Sequence, residues 1–135
     1  MGEMNYSPAL KAKLEKANEM LAAEAENYTR MLQADLVELA VVLSDRDYER
    51  VAVVAYNIES RAGTFGWPLV TGAAGLMRDL MEEGRATSPT MAIIRDSMAL
   101  MVRDNMKDMA IEGRVLLETL RAAVTSEIGI RNTGK

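Results

Sequence analysis

Residues Val51–Gly66 read VAVVAYNIESRAGTFG. Val51, Val54, Ala55, Ile58, Ala62 and Phe65 recur at the spacing of a 3.6-residue helix and share one side of it, so that side is expected to be core. At about 100° per residue, Tyr56 lies roughly opposite Ile58, with Ala52, Val53, Glu59, Ser60 and Gly63 around it. A purely solvated face would carry mostly Lys, Glu and Arg, whereas most of these residues are small or apolar. Ala52, Val53, Tyr56, Glu59, Ser60 and Gly63 are therefore the expected docking face for a partner.

Upstream, Ser7-Pro8 reads as a cap followed by a proline at a first helical position, and no further Gly or Pro occurs until Gly63. Leu10, Leu14, Ala17, Leu21, Ala25, Tyr28, Leu32, Leu36, Leu39 and Leu43 keep helical spacing, which predicts a first helix over about residues 8–43. Glu15, Lys16, Glu19, Glu24 and Arg30 fall mainly off that stripe, as a solvated face. Ser44 and Asp47 form a capping-box-like start for a second helix over about residues 45–64. Downstream, Gly66-Trp67-Pro68 supplies a turn and then a proline start, and the pattern predicts a third helix over about residues 68–83. Gly72 and Gly75 lie inside it and point to close packing on the second helix. Thr87-Ser88-Pro89 repeats the cap-then-proline device. Ile94, Met98, Met101, Asn105, Met109, Gly113, Leu116, Leu120 and Ala123 then trace a fourth helix over about residues 89–127, with a frayed tail IRNTGK.

Short connections make successive helices antiparallel neighbours, so the expected fold is all-α, a single-domain up-and-down antiparallel four-helix bundle spanning residues 1–135. At 1.5 Å per residue the first and last helices run roughly 54 to 58 Å, against a globule diameter of about 37 Å. Both should overhang at one end and pair as a two-helix antenna. Leu10, Leu14, Met20, Leu21, Val115, Leu116, Leu117, Leu120 and Val124 offer more apolar surface than one seam can bury, which predicts a homodimer through helices 1 and 4. An oligomerisation module whose antenna is the functional part is the alternative to a docking protein.

Composition removes whole classes of function. The 135 residues are 49% apolar and 27% charged, which excludes a disordered chain. A net charge of −4 argues against binding nucleic acid. No apolar run approaches the length of a membrane span, and the start MGEMNYSPALKAKL lacks a signal-peptide core and the myristoylation pattern, so a cytoplasmic protein is expected. Cysteine and histidine are both absent. Thiolate chemistry, Cys-based metal sites and the Glu-x-x-His pairs of di-iron bundles are thereby removed, and no cofactor, metal or enzymatic activity is expected. Gly63-Thr-Phe-Gly66 is too short for a phosphate loop. The Met set at 91, 98, 101, 106 and 109 reads as core filler.

The run A-Y-N-I-E-S-R-A-G-T-F-G over Ala55–Gly66 resembles the signature of histidine phosphotransfer (HPt) domains of bacterial phosphorelays, roughly A-H-x-L-K-G-x-A-x-x-x-G. Ala55, Ile58, Ala62 and Gly66 fall on family positions, and Gly63, Thr64 and Phe65 repeat a common variant. The resemblance implies a four-helix bundle and a partner that is a response-regulator receiver domain or a sensor kinase. In its frame Tyr56 stands where the family has the phosphorylated histidine, Glu59 where it has a lysine, and Ser60 where it has a glycine under the partner. Relay transfer needs an imidazole, because its phosphoramidate is labile. A phenol is protonated at neutral pH, and its phosphate ester is too stable for a relay. Glu59, one turn away, is expected to repel a phosphoryl group, and Arg61, about 140° round the helix from Tyr56, does not replace the lysine. The expected function is docking without phosphate transfer.

Overall fold

The structure, a computed structural model, describes residues 7–107 and 111–133, with side chains described as far as Gly129. Five helices occur among the described residues and no strand: α1 (Pro8–Ser44), α2 (Tyr48–Thr64), α3 (Pro68–Glu82), α4 (Thr90–Arg103) and α5 (Ile111–Thr133). The expected all-α class holds. No helix among the described residues is long and apolar enough to cross a membrane. The motifs proposed for MGEMNY, and Met109, lie outside the described residues.

The helix starts follow local chemistry. Ser7 Oγ accepts the Leu10 amide at 3.1 Å, and proline opens α1 and α3. Helix α2 is capped by Asp47, whose carboxylate accepts the Arg50 amide at 3.3 Å, while Ser44 ends α1. That corrects the expectation of a start at Ser44.

Four helix ends share one device. The amides of Asp47, Trp67, Arg85 and Met106 donate to the carbonyls of Val42, Ala62, Leu80 and Met101, each five residues back. Preceding each donor is a residue in the left-handed region, namely Arg46, Gly66, Gly84 and Asn105. The last of these overturns the single fourth helix expected over 89–127. Asn105 turns the chain at φ 54°, a conformation its short polar side chain tolerates, and α4 ends at Arg103. Helix α5 then runs to Thr133, past the expected end and through most of the tail.

The core is one cluster. Val51, Val54, Ala55, Ile58 and Ala62 of α2 are buried with Leu32, Leu36, Leu39 and Val42 of α1. Leu69, Val70, Met77 and Leu80 of α3 and Met91, Ile94, Met98 and Met101 of α4 complete it. Phe65 is half-buried and stacks on Tyr28 of α1. Helix α1 packs on α2 and α4, and α3 packs on α2, α4 and α5.

The expected antenna is not formed. Helices α1 and α5 do not pack against each other among the described residues; α5 lies instead along α3 and α4. It runs parallel to α3, with Gly113 beside Leu69, Leu117 beside Gly72 and Glu127 beside Arg85. Leu117, Leu120 and Val124, expected to be left wet, are buried by this docking. Gly72 therefore makes room for α5, whereas Gly75 faces Glu59 of α2 as expected. Only the first half of α1 projects, with every residue from Ser7 to Glu24 exposed.

Glu127 fastens the far end of α5. Its carboxylate accepts Ser88 Oγ and Thr90 Oγ1, each at 2.9 Å, and Arg85 Nη1 at 3.3 Å. Desolvation pushes its pKa up, but the three hydrogen bonds and the Arg85 charge outweigh this and hold it below the ordinary glutamate value. A carboxylate depressed in the folded state contributes stability above its unfolded pKa of about 4.3 and loses it as pH falls through the folded value. Glu127→Gln is thus expected to cost about 1 kcal/mol at pH 7. In urea titrations the gap from the unsubstituted protein should close below about pH 4; a gap constant from pH 7 to pH 3 contradicts this.

Candidate functional site

The face expected to dock a partner lies on the outer side of α2. Tyr56 is 68% exposed, while Ile58, two residues on, is fully buried. Ala52, Val53, Ser60 and Gly63 are exposed with it, and Glu59 is half-buried. Five of the six residues expected to form the face are therefore exposed on one helix surface. A cavity of about 310 Å³ opens beside it between α2 and α3, lined by Ala52, Tyr56, Glu59, Arg78, Met81 and Glu82 among others.

Glu59 is tied down. Arg78 of α3 donates to its carboxylate at 2.6 Å, so the charge expected to repel an incoming phosphoryl group is neutralised by a cation one helix away. Gly75, one turn before Arg78, lies alongside the pair: a Cβ there would sit 3.4 Å from the Glu59 carboxylate and 3.6 Å from the Arg78 guanidinium, both ordinary contact distances. Arg78 is the residue beside this face that the sequence did not reveal. Nothing local marks it, since it lies 19 positions from Glu59 and meets it only because α3 returns against α2.

Arg61 faces the other way. It donates to Asp35 of α1 at 2.5 Å, on the flank between α1 and α2, which agrees with its angular separation from Tyr56. At the end of the face Gly63 rests on Thr71 of α3, whose hydroxyl is itself bonded to the Trp67 carbonyl at 3.0 Å. The Thr64 hydroxyl likewise donates to the Ser60 carbonyl at 3.0 Å. The surface is thus a short helical strip with one large aromatic, small neighbours and a neutralised ion pair. It can bury an apolar contact without stranding a charge.

A second cavity, of about 670 Å³, lies between the α3–α4 connection and α5 and is lined by Gly84, Arg85, Ser88, Thr90 and Glu127 among others. Arg85 Nη1 and Glu127 pair there in holding α5, while Arg85 Nε is buried without a hydrogen-bond partner among the described residues. Among the described residues no three carboxylates converge as a metal site would require. Comparison of the chain with protein-family models, curated proteins and solved structures found no match in any of the three.

Proposed function

We propose that the protein is a non-catalytic, HPt-like signalling adaptor, in which α1 to α4 form an antiparallel four-helix unit and α5 is added along α3. Its outer α2 face docks a response-regulator receiver domain or a sensor kinase in the cytoplasm without accepting phosphate. The observation that carries this reading is Tyr56, exposed and ringed by Ala52, Val53, Ser60 and Gly63 where a relay protein would present its reactive ring. Loss of the imidazole removes the transfer chemistry, but small neighbours and a neutralised Glu59 keep close approach inexpensive. Inhibition or titration of a relay by occupying a receiver follows from docking alone.

The test is titration of isotope-labelled protein with receiver domains, read by amide shifts. Shifts confined to Ala52–Gly63 and the facing turn of α3 support the adaptor. Binding elsewhere, or none across a panel of receivers and kinases, rejects it.

A second reading is favoured by the exposed first half of α1. There the chain is an oligomerisation module, forming a homodimer through α1, while α5 remains on its own subunit. Self-association that needs residues 8–24 and is indifferent to Tyr56 supports it.

A further inference from the structure

We propose that the projecting half of α1 pairs with the same segment of a second copy, and that the two run antiparallel. This rests on the oligomerisation reading and specifies both the occupant of the arm and its direction. Leu10, Leu14, Ala17 and Leu21 follow at alternating four- and three-residue steps, the spacing of a two-helix seam. All are exposed, Leu21 to 64%, and nothing among the described residues covers them. The body lies further along, where burial begins at Leu32.

Charge selects the partner and the direction. At about 100° per residue, Lys11 and Lys13 flank the seam near its start and Glu24 flanks it near its end. On the side of the helix away from the seam, Lys16 adds positive charge to the first half and Glu19 and Glu26 add negative charge to the second; Glu15, and Arg30 in its pair with Glu26, run against the trend. A parallel pair would set lysine against lysine and Glu24 against Glu24. An antiparallel pair lays each basic half on its partner's acidic half, where opposite charges attract and like charges would have repelled. A surface whose two halves complement each other is suited to a two-fold dimer of one chain. The arm is about 25 Å long, so the seam is smaller than a standard protein interface. The dimer is expected to dissociate at roughly 1–100 μM.

Sedimentation equilibrium over a concentration series tests this on the full chain. Leu14→Glu with Leu21→Glu should leave a monomer with unchanged unfolding, because neither side chain touches the core. Lys11→Glu with Lys13→Glu should weaken the dimer roughly 3- to 10-fold, Glu24→Lys should weaken it similarly, and the three together should restore it. A parallel pair would answer differently, since each partial swap replaces one like-charge contact with another. If the leucine variant is monomeric but the partial charge swaps change nothing, the antiparallel arrangement is overturned and the oligomerisation reading stands. A dimer that survives the leucine substitutions, or an unsubstituted chain monomeric at all concentrations, overturns both.

Discussion

Tyr56→Asp is expected to weaken receiver-domain binding at least about 30-fold while leaving the unfolding midpoint nearly unchanged, and Ile58→Ala should do the reverse. Tyr56 is mostly in water, so its replacement removes little buried area from the fold. As the only large aromatic at the centre of its face it has the character of a binding hot spot, where truncation costs about 2 kcal/mol or more. An aspartate adds a charge that docking would have to desolvate. Ile58 is fully buried in the core cluster, and shortening it to alanine should cost about 2–5 kcal/mol through lost burial and the cavity left behind. For a domain of this size that lowers the midpoint by about 3–5 °C per kcal/mol. Thermal unfolding and receiver titration on the two variants read the two faces of one helix separately. A Tyr56→Asp protein that binds as tightly as the unsubstituted chain shows the face to be idle.

Gly113→Val should detach α5. A Cβ at Gly113 would collide with Leu69 Cδ1 and lie 3.3 Å from the Met106 sulfur. Leu69 is fully buried, so it cannot move aside without disturbing α3, and valine adds two further methyl groups. Overpacking of this kind costs about 1–3 kcal/mol, and here it should exceed the helix-propensity gain of up to about 1 kcal/mol from removing a glycine. Hydrogen exchange should accelerate through α5 while the amides of α2 and α3 stay protected. Gly63→Ala provides the contrast. Its Cβ would meet only Thr71 at ordinary contact distance, 3.6 Å, so the same propensity term should appear as a small stabilisation. Protection in α5 that is unchanged by Gly113→Val would show that Leu69 and Met106 yield without cost.

Two of the four left-handed helix ends are glycines and were visible as such; the other two are Arg46 and Asn105. The Asp45–Asp47 break could still be located from its capping residues, because Ser44 and Asp47 signal a helix start nearby. Asn105 had no such company. Met98, Met101 and Met109 continue the helical spacing on either side of it, so periodicity read straight through the turn. Arg78 was hidden for a different reason. A salt bridge between α2 and α3 depends on where two helices come together, and neither partner's neighbours in the chain record that.

The periodic residues and the Pro8, Pro68 and Pro89 starts determined by themselves that the chain is all-α, which side of α2 is buried, and that Tyr56 points outward. Those properties follow from the local geometry of a helix, in which spacing alone assigns a face. Only the tertiary structure decided that the last segment folds back along α3 instead of pairing with α1, and that Glu59 is neutralised by Arg78. Both depend on contacts between residues distant in sequence, such as Leu69 with Gly113 and Gly75 beside Glu59. At Gly113 the absence of a side chain sets how closely α5 approaches α3, and periodicity carries no record of it.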